Sequence, residues 1–345
     1  MAEKFCIFCG QKPENKNMEH VIPQWLIRLT GREKKDVFEN FPASHKHLTF
    51  MQYKFPACEK CNSEYSDLES QVRSIMINVL DDKPISGTEA SLLLDWFDKV
   101  RVGIWLAEMC YDPELKRQVH PNFYINSRVG KFDRMLSIQK IQIMPAGAKG
   151  IYFTGQKSPL FHYFPSVFGM LINDHYFTNI STVDLVAPRL GFHHLCKPQM
   201  VNPFKPELLC SLEPGRHRII NPVIKQFIPN KESITFYQPI LKDETGKSFM
   251  AYDEYAMKHC YDIDAGLGGV FVQKGNIGNT HYMEKDDKVG TRLKPVPAFD
   301  YSINVLKLQR DIYEKTIGKT GEANRQAATT DMIIKLYEQG RFHLF

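Results

Sequence analysis

Apolar residues recur along this chain with two periods, and the change of period divides it. Leu68, Val72, Ile75, Met76 and Val79 sit three or four residues apart, which predicts a helix from near Asn62 to about Leu80. Asp81-Asp82-Lys83-Pro84 and Ser86-Gly87 break that helix. A second helix is predicted from Thr88 to about Tyr111-Asp112-Pro113, with Leu92, Leu93, Trp96, Val100, Ile104 and Leu106 on a wide apolar face. Trp96 and Trp105 are expected as core anchors.

From about Ile138 the apolar residues fall into short runs. Ile138 to Ile143, Ile151 to Phe153, Phe168 to Ile172, Ile180 to Val186 and Ile234 to Tyr237 read as strands, separated by Gly, Pro, Asn and Asp. Helical spacing returns over Tyr301 to Ile317 and Glu322 to Glu338, with Gly318 and Gly321 between them. The expectation is an α+β chain. Residues 1–83 form a small N-terminal unit, and residues 84–345 form a larger mixed domain with a β-rich middle and C-terminal helices. No internal repeat is evident.

The candidate chemistry is concentrated ahead of the first long helix. Cys6-Ile7-Phe8-Cys9-Gly10 and Cys58-Glu59-Lys60-Cys61-Asn62 are two Cys-x-x-Cys pairs, and Met18-Glu19-His20-Val21-Ile22-Pro23 lies between them. Paired cysteines at this spacing supply four thiolates for one tetrahedral zinc ion. Disulfide or redox use is the alternative. No apolar leader precedes the first pair, so a cytoplasmic location with reduced thiols is expected, which favours metal. Gly10 supplies the backbone freedom of a knuckle turn. Cys110, Cys196, Cys210 and Cys260 are isolated and read as small buried residues.

These motifs resemble the zinc-containing branch of the HNH endonucleases, the ββα-metal or His-Me finger nucleases, over about the first 70 residues. The resemblance implies a zinc-stabilised ββα-metal module that hydrolyses phosphodiester bonds. It implies His20 as general base, and Glu19 and Asn62 as ligands of a catalytic Mg²⁺ or Mn²⁺, with Cys6, Cys9, Cys58 and Cys61 holding the structural zinc. An imidazole titrates near working pH, and a carboxylate suits a hard cation. On a strand, Glu19 points away from His20, so it is badly placed to orient it. The family's middle asparagine is absent. Gln52, His45 or His47 could stand in for it, and Asp67 could assist the metal. Asn62 could also be a plain helix cap. Arg28, Arg32, Lys34 and Lys35 follow the Glu-His pair and are candidates for phosphate contact.

Length and charge then limit the function. At 345 residues the chain exceeds what such a module needs, so the remainder is expected to serve targeting, oligomerisation or activation by a partner protein. A net charge of +5 permits contact with nucleic acid without requiring it. No stretch has the length of a membrane span. His193-His194 with Cys196 fits no zinc template, Gly266-Leu-Gly-Gly269 reads as a turn or bulge, and Arg216-His217-Arg218 and Lys285 to Lys294 read as solvated basic faces. The leading expectation is a metal-dependent endonuclease acting on DNA, in the manner of restriction or phage-defence enzymes. An RNA endonuclease and a non-catalytic, zinc-stabilised nucleic-acid-binding protein are the alternatives.

Overall fold

The structure is a computed structural model. It describes residues 5–13, 17–37, 48–111, 115, 119, 121–143, 147–182, 194–195, 199–200, 208–209, 212–213, 232–238, 240, 260–262, 267–275, 281–297, 301–314 and 321–339. His45, His47, His193, Cys196, Cys210 and Arg216 to Arg218 lie outside these residues.

The N-terminal segment is built on one hairpin. Strand β1 (Met18–His20) pairs antiparallel with β2 (Lys54–Pro56), matching Glu19 to Phe55 and His20 to Lys54. Helix α1 (Gln24–Leu29) follows β1, and Leu26 and Ile27 bury its inner face. Helix α2 (Glu59–Leu80) starts three residues earlier than the apolar spacing suggests, because Cys58 takes the N-cap position. Asn62 therefore lies inside the first turn, its backbone N–H bonded to the Cys58 carbonyl at 2.9 Å, and it is no cap.

The helix break falls at Pro84 as expected. Strand β3 (Ile85–Ser86) leads into helix α3 (Gly87–Tyr111). Ser86 and Glu89 close a reciprocal cap there: the Ser86 N–H donates to Glu89 Oε2 at 2.6 Å, and the Glu89 N–H donates to Ser86 Oγ at 3.2 Å. Almost every α3 residue from Leu93 to Met109 is buried, including Trp96 and Trp105. A helix enclosed on all sides can be apolar all round.

Beside short two-stranded pairings, the β-rich middle is built on one large sheet. Its strands β4 (Asp133–Gln142), β5 (Ile151–Thr154), β6 (Val167–Ile172), β7 (His175–Thr182), β8 (Ser233–Gln238), β9 (Val270–Lys274) and β10 (His281–Met283) lie in the order β10-β9-β8-β4-β7-β6-β5. All these neighbours are antiparallel. Strand β11 (Lys288–Val289) pairs with β3 rather than with the sheet. Strand β12 (Val296–Pro297) runs parallel to the end of β4. Leu267–Gly268 is a short strand paired antiparallel with Cys260–Asp262, with a register shift on the Cys260–Asp262 side, and Gly266 lies outside the described residues.

Strand alternation gives the sheet two apolar faces. Leu136, Ile138, Phe177, Ile234 and Phe236 point toward α3, whereas Met135, Tyr176, Ile180 and Tyr237 belong to the opposite core. Helix α4 (Pro159–Tyr163) is short, with Ser158 as its cap. Helix α5 (Tyr301–Ile312) covers the second face with Tyr301, Val305, Leu308 and Ile312, and α6 (Gly321–Glu338) packs on α5. Residues 315–320, which the spacing divided between helix and turn, lie outside the described segments.

One core joins the N-terminal segment to the sheet. Cys6, Phe8, Val21, Leu26, Phe55 and Val72 belong to the same buried cluster as Trp96, Ile104, Ile138 and Phe177. Buried polar groups also tie α3 to the sheet and the sheet strands to one another. Arg101 Nη1 donates to Asp98 Oδ1 at 2.7 Å and also to Asn179, and Arg134 Nε donates to Gln238 Oε1 at 2.9 Å. No helix among the described residues is long and apolar enough to cross a membrane.

Candidate metal centre and the histidine beside it

The four sequence-identified cysteines converge. The sulfur atoms of Cys6, Cys9, Cys58 and Cys61 all lie within 4.8 Å of one another. Cys9 Sγ and Cys58 Sγ are 3.8 Å apart. A tetrahedral ion with metal–sulfur bonds of about 2.3 Å has sulfur–sulfur edges of about 3.8 Å, so the cluster is compatible with a structural zinc ion.

Local backbone chemistry builds the cluster. Gly10 has φ +78°, and its N–H turns back to the Cys6 carbonyl at 2.8 Å. A Cβ at Gly10 would sit 2.2 Å from the Tyr124 ring, so the position excludes a side chain on two counts. The Cys58 N–H donates to Cys6 Sγ at 3.2 Å. Burial alone would raise the Cys6 thiol, but backbone N–H groups of Cys58, Cys9 and Phe8 bring it below the ordinary thiol range. Burial and the neighbouring sulfurs push Cys58 up to about 12 and Cys61 up to about 11. Four packed thiols without a cation cannot all ionise, which a divalent ion would reverse.

The larger part of the chain grips this knuckle. Ile125 N–H and Asn126 N–H donate to the carbonyls of Ile7 and Phe8 at 3.2 and 2.9 Å. Asn126 Nδ2 approaches Cys61 Sγ at 3.9 Å.

His20 stands on the open face of the hairpin. Its Nε2 lies 3.1 Å from the Met51 carbonyl, which only an N–H there can satisfy, so Nδ1 carries the lone pair. Gln24 Nε2 lies 3.4 Å from that Nδ1, and Gln24 Oε1 accepts from Arg28 Nη2 at 3.1 Å. Burial lowers the His20 imidazole below its ordinary value; the Met51 carbonyl and Glu19 oppose that shift. The ring is consequently neutral at neutral pH and able to accept a proton.

Of the three residues that could brace this loop, only Gln52 lies among the described residues. Gln52 makes no hydrogen bond to His20. Its Oε1 instead accepts from the Thr49 N–H at 3.1 Å and from Thr49 Oγ1 at 3.2 Å, fixing the single 3₁₀ turn Phe50–Gln52 that presents the Met51 carbonyl.

Glu19 faces the other way. It is 8% exposed, and its Oε1 accepts from Lys99 Nζ of α3 at 2.5 Å. Lys99 is 1% exposed and donates to Glu69 of α2 as well. Breaking such a buried pair costs about 3–5 kcal/mol, so Glu19 is strongly committed. The donor set expected for a catalytic Mg²⁺ or Mn²⁺ is thus not assembled: Glu19 already holds a cation, whereas the Asn62 side chain has no hydrogen bond among the described residues. Asp67 is exposed and lies five residues past Asn62, on another face of α2.

The basic candidates separate by exposure. Arg28, Lys34 and Lys35 are exposed, but Arg32 is 6% exposed and lies over the Tyr152 ring at 4.4 Å from its centroid. Arg32 therefore packs the N-terminal segment against β5 and is withdrawn from solvent. Two residues were not anticipated. Lys54 is exposed and directly opposite His20 across the hairpin, on the same face. Glu69 shares the Asn62 face of α2 two turns on, a spacing of seven that the chain itself carries.

No protein-family model matches this chain, and comparisons with curated proteins and with solved structures return no match.

Proposed function

We propose that this chain is an endonuclease of the zinc-stabilised HNH type that hydrolyses DNA phosphodiester bonds, with His20 as general base. The observation that carries the reading is the setting of His20. It is neutral, held through Nε2 by the Met51 carbonyl, and presents Nδ1 on an exposed face flanked by Arg28 and Lys54. Once a water takes the place of the Gln24 amide at Nδ1, an imidazole so held can take that water's proton while its oxygen attacks phosphorus. Arg28 and Lys54 are placed to offset phosphate charge as the bond to the leaving oxygen breaks. Gln24 touches both His20 and Arg28, so it links the base to the phosphate contact.

Mg²⁺ or Mn²⁺, the ion that the resemblance implies, would supply charge neutralisation at the leaving oxygen. The pairing of Glu19 with Lys99 does not suit that role as it stands, and no step is assigned to the ion. The same pairing favours a second reading, a zinc-stabilised nucleic-acid-binding protein without catalysis. RNA in place of DNA would use the same base and cations. Incubating zinc-loaded protein with labelled plasmid, single-stranded DNA and RNA, with Mg²⁺ or Mn²⁺, tests these readings. Cutting of DNA supports the proposal; binding without cutting supports the second reading.

The mild positive charge and the large partner sheet fit a role for residues 84–345 in targeting, oligomerisation or response to an activating protein. A setting in restriction or phage defence remains part of the proposal, supported only by the resemblance of the N-terminal motifs.

A further inference from the structure

We propose that Arg128 is the contact residue of a phosphate-binding site on the turn that grips the cysteine knuckle, reinforced by the buried charge of Arg101. The inference goes beyond the hydrolytic reading and does not rest on it.

Aromatic rings fix Arg128 in place. It follows the 3₁₀ turn Ile125–Ser127, and its N–H donates to the Ile125 carbonyl at 3.0 Å. Its guanidinium carbon lies 4.4 Å from the Phe123 ring centroid and 4.5 Å from that of Phe132. Phe123 in turn stacks on buried Trp105, with 4.2 Å between centroids and 11° between planes. A guanidinium held by rings is positioned before a ligand arrives, so little side-chain freedom is lost on binding.

The turn lies against buried charges of α3 and β4. A Cβ at Gly130 would sit 3.8 Å from Asp95 Oδ1. Arg134 Nη1 pairs with Asp95 and lies 3.6 Å from Asp98 Oδ2, and Arg101 Nη1 holds Asp98 Oδ1 at 2.7 Å. Two carboxylates thus serve three guanidinium groups, and the one left over is Arg128. Its side chain makes no hydrogen bond or ion pair among the described residues. Its Nε is buried, whereas the residue as a whole is half-buried. Arg101 also keeps Nε and Nη2 undonated among the described residues. Burial and Arg101 bring the Arg128 guanidinium down to about 10, against the pull of Asp98, so it stays charged at neutral pH. A charge so poorly hydrated is stabilised by an anion.

The planar fork of a guanidinium matches two oxygens of an oxyanion. Lys131, exposed on the same turn, adds a second positive charge at the rim, and residues 121–132 include no acid. One carboxylate would leave part of that charge unmatched. A phosphate dianion, or successive phosphates of a nucleic-acid backbone, would match it.

The test uses the zinc-loaded full chain at constant pH. Phosphorus NMR line width follows binding of inorganic phosphate at fixed ionic strength, and anisotropy follows a labelled DNA duplex at several salt concentrations. The parent is compared with Arg128→Met, which keeps an apolar side chain against the rings and removes the charge. If free phosphate is the ligand, Arg128→Met should bind it roughly tenfold or more weakly. If a backbone phosphate is the ligand, the salt slope for the duplex should fall by about one in Arg128→Met. Either result supports the proposal. A parent that binds neither probe, or a variant that matches the parent with both, overturns it, and Arg128 then serves packing alone even if the variant melts at a lower temperature. Acetate that displaces phosphate as well as phosphate itself does also overturns it.

If Arg128→Met does not fold, the Nε–H signal of Arg128 in the nitrogen-15-labelled parent decides. It should shift on addition of phosphate or of the duplex and not of acetate. A signal that stays in place overturns the proposal. Cleavage enters none of these measurements, so failure of the nuclease reading leaves their result standing.

Discussion

The Nε2 of His20 lies 3.1 Å from the carbonyl oxygen of Met51, across a loop that joins the two strands of the N-terminal hairpin. This one contact selects the imidazole tautomer and leaves Nδ1 as the only nitrogen able to accept a proton. The carbonyl is in turn held by the turn that Gln52 closes on Thr49.

Gln52→Ala should therefore weaken His20 without touching it. Loss of the two hydrogen bonds to Thr49 should cost about 1 kcal/mol of local stability. Cleavage should fall by about tenfold, because a general base works only when positioned. Zinc content should not change. Steady-state cleavage and elemental analysis check both halves of the statement.

The pH dependence follows from the direction of the His20 shift. Its folded value is depressed below the ordinary imidazole value of about 6.5 by burial. A depressed value means that the unfolded state takes up the proton first. The contribution to stability is present above the unfolded value and is lost as pH falls through the folded one. Cleavage should likewise lose rate only below that ordinary value, along a limb with the depressed apparent pKa. A limb centred above the ordinary imidazole value would contradict the burial of this ring.

Zinc loading should also depend on pH, with the opposite origin. Cys58 and Cys61, pushed up to about 12 and about 11, hold protons in the metal-free cluster. Binding zinc must release them, so affinity should rise as pH rises. Competition with a chelator at several pH values measures this. Cys58→Ser should lower zinc content and loosen the grip of Ile125 and Asn126 on the knuckle, seen as lost amide protection at both residues.

Arg28 and Arg32 should part company in DNA binding. Arg28→Ala removes an exposed cation beside His20 and should reduce affinity and the salt slope by about one unit. Arg32→Ala removes a buried stacking contact with Tyr152 and should lower stability by about 1–2 kcal/mol, leaving the salt slope unchanged. Titrations at several salt concentrations, with thermal melts, separate the two.

Much of this was legible in the chain because the signals are local. Two Cys-x-x-Cys pairs carry their own ligand geometry. Helices α2 and α3, and the break at Pro84, follow from apolar spacing within each segment. Trp96 and Trp105 are buried as their size suggests. What was not legible depends on distant partners. Glu19 meets Lys99 eighty residues on. Arg32, in the loop after α1, meets Tyr152 of β5, and the His20–Lys54 pairing is set by hairpin register across a long loop. A cap role for Asn62 was open because asparagine suits that position, but the helix begins earlier and Cys58 takes the N-cap.

The measurement that bears most directly on the proposed hydrolysis compares the zinc-loaded parent with His20→Ala on plasmid DNA at saturating Mg²⁺ or Mn²⁺. Removing the general base should slow cleavage by roughly 10²–10⁴-fold, with zinc content and fold unchanged. Cleavage by His20→Ala at the parent rate would show that the imidazole is not the base and would contradict the mechanism.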